Sequence, residues 1–188
     1  MFASQAHLDM LKADAGKYAP PTTTKGFTMS WLQRNGHWVL TLFVAFVFLQ
    51  SLFFKFSGSP ETVYIFQVKL DPWAASLGFP GVFAPGGIFS AKVVGSFELI
   101  ASALLLLGAA ARRPMAQVLG AALGLGVISG AIFFHLFTPL GVAVVNTDGS
   151  SDGGQLFMLA CGVWVSCAAL LWIRRSVWLS WLGRLTGR

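Results

Sequence analysis

The sequence predicts an all-α polytopic membrane protein: a four-transmembrane-helix bundle with short interfacial helices in its first outer loop. Two observations carry this. Apolar residues make up 55% of the 188-residue chain and charged residues only 11%, against roughly 25% charged in an ordinary globular domain. Mean hydropathy is +0.70, and four apolar runs come near the ~20 residues that a helix needs to cross a bilayer. So few charges cannot cover a soluble protein of this size. A cytosolic enzyme, a disordered tail and a disulfide scaffold are excluded as classes.

The first element is a polar segment, 1–35. It has no apolar stretch of signal-peptide type and is expected to stay on the mature protein as a tail. A transmembrane domain, 36–175, follows, with spans at about 38–56, 88–111, 115–137 and 155–173. The first and last spans are uncharged over WVLTLFVAFVFLQSLFF and QLFMLACGVWVSCAALLWI. The second contains Lys92 and Glu98, and the third ends near His135. A C-terminal segment, 176–188, carries Trp178 and Trp181 beside arginines and suits the membrane interface.

The connections differ in kind. Arg112-Arg113-Pro114 makes a tight hairpin between the second and third spans. The first outer loop opens with Ser59-Pro60-Glu61, an N-cap followed by proline and an acidic first turn. Val63, Phe66 and Leu70 then recur at helical spacing. Asp71-Pro72 starts a second short helix, which Gly78 closes. The connection from Thr138 to Gly154 is rich in turn formers, and Asp152 is placed to cap the fourth span.

Basic residues set the direction. Ten of the thirteen lie in the N-terminal segment, the hairpin and the C-terminus; only Lys55, Lys69 and Lys92 lie on the other side. The positive-inside rule puts both termini in the cytoplasm. The net charge of +6 is thereby a matter of orientation in a lipid bilayer, with no basic stripe of nucleic-acid-binding type.

Ionisable groups inside spans are costly and face protein or water. Glu98, roughly 13–15 Å below the outer end of its span by helical rise, shares a face with Ala91, Gly95, Ser102 and Ala109. Small residues there admit a neighbouring helix, so Glu98 is expected to point inward. His135, Gln50, Lys55 and Lys92 lie in the same outer half, and with Glu98 they form the candidate intramembrane polar cluster. The ionisable four have plain structural alternatives. The lysines can snorkel to the interface, His135 can be an ordinary helix-end histidine, and Glu98 can be a tether to a lysine or histidine. Cys161 and Cys167, six apart, point roughly 120° away from each other on one helix, which removes a paired-thiol mechanism. The run from Asn146 to Gly153 lacks the glycine and closing glutamate of a calcium loop. No metal site, nucleotide loop or catalytic triad is visible, and no cofactor is evident.

These residues resemble the DoxX-like family of small four-helix membrane proteins. Phe54-Lys55-Phe56-Ser57-Gly58 is similar to the family's K-x-x-G exit from the first span. Gly95-Ser96-Phe97-Glu98-Leu99 with Ala103-Leu104-Leu105-Leu106-Leu107 is similar to its G-x-x-E-L-x-x-A-L-L-L pattern, and Phe134-His135-Leu136 supplies a histidine at the end of the third. The likeness runs from about residue 38 to 173; the N-terminal segment and Pro139 to Gly154 match nothing in it. It implies a bacterial inner-membrane protein working with partner subunits in a quinone-linked oxidoreductase assembly, with Glu98 and His135 lining a quinone or proton path. The alternative is a non-catalytic structural or assembly subunit of a larger complex.

Overall fold

A computed structural model describes residues 24–145 and 148–187, with side chains from 35 onward. The chain divides into two units, Met1–Gly36 and His37–Arg188. In the first, the backbone is helical from Thr24, where α1 (Thr24–Ser57) begins. Of the expected tail, residues 1–23 lie outside the described part. The rest of this section concerns the second unit.

Among the described residues, four helices are long and apolar enough to cross a membrane: Asn35–Ser57 within α1, then Ala91–Ala110, Pro114–Phe137 and Gln155–Ile173. The protein is an all-helical membrane bundle, as its composition requires. All four spans fall within three residues of their expected limits. The second starts at Ala91, three residues later than expected. Ile88 is exposed, and Ser90, with extended backbone, precedes the first helical residue. Apolarity had carried the expected span backwards into a Gly86-Gly87 turn, where Gly87 N donates to Ala84 O and Ser90 N to Gly87 O.

Between α1 and that span lies the cap. Ser59 Oγ accepts from Thr62 N at 3.3 Å, and Pro60 opens α2 (Pro60–Val63). The chain then widens into a π-helical stretch, Tyr64–Leu70, before α3 (Asp71–Ser76). Two separate short helices were expected; instead the backbone stays helical throughout. Leu70, ahead of α3, is right-handed helical and gives no side-chain cap. Asp71 turns its carboxylate to the loop beyond, accepting from Phe83 N at 3.0 Å. The wider π turn also changes which side chains face inward: Leu70 is buried with Ala74 and Phe83, while Val63 is exposed. Gly78, at φ +89, closes α3: its N–H reaches Ala75 O and that of Phe79 reaches Ala74 O, the paired bonds that favour glycine just past a helix end.

The spans α4 (Ala91–Ala110), α5 (Pro114–Phe137) and α6 (Gln155–Ile173) follow, then α7 (Arg175–Leu185). Helix α5 packs against α4, α6 and α7. The main core joins Val44 and Phe48 of α1 to Ala101, Leu105, Ala121, Ile128, Val163 and Leu170. Lipid is as apolar as leucine, so close approach through small residues does the work that water expulsion does elsewhere. Gly120 illustrates it, since a Cβ there would stand 2.8 Å from Leu105 N and 2.9 Å from Ala101 O. Phe46, Phe53, Val165 and Trp172 face outward, 61–74% exposed, as a lipid-facing surface requires.

Ahead of α6, Asp152 Oδ1 accepts from Val144 N and Gly154 N at 2.7 and 2.9 Å, and Oδ2 from Leu156 N at 3.0 Å. The residue adjoining the helix is Gly154, in the left-handed conformation, so Asp152 caps α6 from two residues further back than expected and pins the loop as well. Burial works to raise its pKa, but the Gly154, Leu156 and Val144 N–H groups and the nearby His135 outweigh it and hold the carboxyl below its usual value.

Candidate functional site

The carboxylate of Glu98 is only 5% exposed. It lies seven residues into α4, about 10 Å from the start of the helix, so the later start makes it shallower than the sequence implied. Gly95, one turn earlier, is buried, and a Cβ there would meet Leu52, Phe56 and Lys55 of α1. The small-residue face thus receives α1, and α1 brings two polar side chains with it.

Lys55 Nζ donates to Glu98 Oε1 at 2.9 Å and Oε2 at 2.8 Å. Ser51, one turn before Lys55, lies 2.7 Å by Oγ from Glu98 Oε2 and 3.0 Å from Lys55 Nζ. Both carboxylate oxygens are therefore engaged, and the lysine side chain is 15% exposed. A buried carboxylate in hydrocarbon is tolerable only with such partners. Chemically the network can neutralise the charge, lock α1 to α4, or share a proton between amine and carboxylate.

Of the five residues grouped from the sequence, the structure brings Lys55 and Glu98 together and places the other three apart. Gln50 and Lys92 are exposed. His135 is buried at the far end of α5, with Nδ1 2.7 Å from Gly141 O and its ring edge-on to Phe157. It anchors the turn leading to α6, and no hydrogen bond joins it to Glu98 among the described residues. Nor, among those residues, do three His, Cys, Asp or Glu side chains converge as metal ligands would. Cys167 is fully buried and Cys161 partly so, both as free thiols.

Sequence reasoning missed Ser51 and a second buried polar link at the opposite end of the bundle. Gln117, fully buried, donates from Nε2 to Thr41 Oγ1 at 2.8 Å, and its Oε1 accepts from Arg174 Nε at 2.8 Å. Its spacing to Gly120, Ala121 and Gly124 marks the inward face of α5 and could have revealed it.

An apolar cavity of about 380 Å³ lies under the cap, walled by Trp73, Phe79, Phe83, Phe89 and Phe134, with no polar surface. Phe134 meets Phe83 edge-on at 5.2 Å.

Comparison with protein-family models, with curated proteins and with solved structures finds no match for this chain, and the DoxX-like resemblance rests on the residues quoted above.

Proposed function

We propose that this chain is an integral membrane subunit of a larger assembly, a scaffold in which the Ser51–Lys55–Glu98 network fixes α1 against α4. The observation that supports it is the closure of that network: both Glu98 oxygens are bonded inside a helix contact. A broad lipid-facing surface rich in Phe and Trp serves equally for partner helices. The basic end, with Arg112, Arg113 and the arginines of α7, lies in the cytoplasm by the positive-inside rule.

A second reading, a subunit of a quinone-linked oxidoreductase, draws on the aromatic cavity under the cap. Its walls fit a flat ring or an isoprenoid tail, but they offer no donor to a quinone oxygen. On this reading the partner subunit supplies the polar contacts and the electrons.

One experiment separates the two. Tagged wild type and Glu98→Gln are purified from native membranes in mild detergent; chain yield, co-purifying polypeptides, bound quinone and turnover of the parent complex are compared. Glutamine keeps the shape but leaves Lys55 without its counter-charge. The scaffold reading expects yield and partners to fall together. A proton path through Glu98 expects yield to hold while turnover drops, and a quinone in the aromatic cavity, which Glu98 does not line, is expected bound in wild type and variant alike. Normal yield and partners in Glu98→Gln would reject the scaffold, and wild type purified without bound quinone would reject the second reading.

A further inference from the structure

The basic end holds a cleft of about 530 Å³ lined by His37, Trp38, Gly108, Arg112, Pro114 and Arg174. We propose that it binds a phosphate group, that of an anionic phospholipid headgroup. This goes beyond the proposed function and does not depend on it.

The first support is how Arg174 is held. Gln117 is buried with its amide donor committed to Thr41 Oγ1, which turns its acceptor towards Arg174. Arg174 Nε satisfies that acceptor, and its Nη groups have no protein acceptor among the described residues. A guanidinium fixed at Nε with its outer fork free presents two parallel donors, the geometry that suits a phosphate. Holding an arginine head through two fully buried side chains is a costly arrangement if the fork meets only water.

The second support is Arg112. It is the one non-glycine residue at positive φ among the described residues, at +52°, where a side chain costs roughly 1–2 kcal/mol. Glycine would close the same hairpin without that strain, and strain of this kind gathers at functional sites. The carbonyls of Leu107, Gly108 and Ala109 at the end of α4 are already taken by the N–H groups of Ala111, Arg113 and Arg112. Among the described residues no arginine side chain donates to them.

The third is charge. The described carboxylates, Glu61, Asp71, Glu98, Asp148 and Asp152, belong to the cap, the outer half of α4 and the loop before α6. None accompanies Arg112, Arg113, Arg174 and Arg175. Such a cluster of one sign favours an anion beside it. Depth selects a lipid: α7 exposes Leu179, Trp181, Leu182 and Leu185 and has Arg175 stacked on Trp172 at 4.9 Å, the pattern of a helix lying at headgroup level. A choline headgroup would set its ammonium among cations with no carboxylate to meet it, so the cleft should prefer phosphatidylglycerol to phosphatidylcholine.

The full-length protein in uncharged detergent is titrated with dioleoyl phosphatidylglycerol, with dioleoyl phosphatidylcholine and, separately, with inorganic phosphate. Bound lipid is counted by native mass spectrometry and melting temperature is followed. Phosphatidylglycerol should bind and raise the melting temperature; phosphatidylcholine should not. Arg174→Gln and Arg112→Gly should each weaken that binding about fivefold, the worth of one basic residue at a membrane surface. Arg112→Gly also relieves the strained φ, so its lipid-free melting temperature should not fall, which separates lost binding from lost folding. Arg175→Gln and Arg184→Gln, outside the cleft, should bind as wild type does. Equal binding of both lipids, or equal losses in all four variants, would overturn the proposal in favour of diffuse surface charge. Saturation by inorganic phosphate that displaces the lipid would overturn the lipid as source and leave a soluble phosphate ligand.

Discussion

Towards the capped end, Ser51 and Lys55 of α1 close on Glu98 of α4; towards the basic end, Thr41 of the same helix meets Gln117 of α5, which in turn takes Arg174. Both links tie α1 to the bundle through buried polar groups, and both are satisfied inside. They differ in what is left over. The first ends in an ion pair with both carboxylate oxygens used, whereas the second ends in Arg174, which lines a cleft and whose Nη groups have no protein acceptor among the described residues. A closed network can only hold helices together or share its own proton. An open one holds helices and also offers a fixed charge to something outside, so burial alone does not say which buried polar residues recognise a ligand.

The largest expected effect comes from opening the closed network. Glu98→Leu strands Lys55 without an anion, a loss of about 3 kcal/mol by the usual cost of breaking a buried pair. The partial exposure of Lys55 lets the ammonium swing towards the interface and trims that figure. Lys55→Leu should destabilise as well, since it leaves the buried Glu98 with Ser51 alone. The double variant Lys55→Leu with Glu98→Leu should return close to wild-type stability, as apolar replacement of both partners often does. Unfolding free energies in mixed micelles complete the cycle. A double variant as unstable as Glu98→Leu alone would show that the pair is no tether.

How much of this was legible follows from what a helix pattern encodes. Depth and the small-residue face were readable, so Glu98 was placed inward with partners of the right kind. Azimuth was not used for those partners. Lys92 is six residues before Glu98, and at about 100° per residue that swings it well away from the buried face. Gln50 precedes Ser51 by one residue and so leaves the contact that Ser51 makes. Grouping by depth had gathered side chains from different faces. Gln117 shares the small-residue face of α5 with Gly120, Ala121 and Gly124, but its partner Thr41 lies on α1, 76 positions away in the chain. The π-helical stretch of the cap has no composition of its own; Val63, Phe66 and Leu70 at helical spacing concealed it. Arg112 read as orientation charge, and its left-handed backbone was invisible without coordinates.

A second way to sharpen the contrast uses Gly108, beside the open link. A Cβ there would stand 2.4 Å from Gln117 N and 2.9 Å from its Cα. Both are backbone atoms in a hairpin closed by Arg113 N to Gly108 O at 2.9 Å, so α4 and α5 must part. Gly108→Ala should cost about 1–3 kcal/mol by overpacking, more than alanine recovers as a helix former. Because the displaced residue is Gln117, the variant should also weaken phosphatidylglycerol binding through Arg174. Lost stability with unchanged lipid binding would separate the link from the cleft.

The smallest effect is expected at Gly95, beside the closed link. A Cβ there would lie 3.2 Å from Leu52 Cδ2, 3.5 Å from Phe56 Cε2 and 3.6 Å from Lys55 Cβ. Only the first contact is tight, and it is to the end of a flexible side chain that can move by a few tenths of an ångström. Against that small repulsion, alanine gains up to about 1 kcal/mol over glycine inside a helix. The two nearly cancel, so Gly95→Ala should leave the melting temperature close to that of wild type and keep the Lys55–Glu98 bond. Gly95→Leu puts a full side chain into the same gap and should separate the pair, reproducing the loss expected of Glu98→Leu. If Gly95→Ala instead destabilises as strongly as Gly108→Ala, then α1 is seated on α4 as rigidly as the hairpin is closed. The ion pair would then be a consequence of that seating, not its cause.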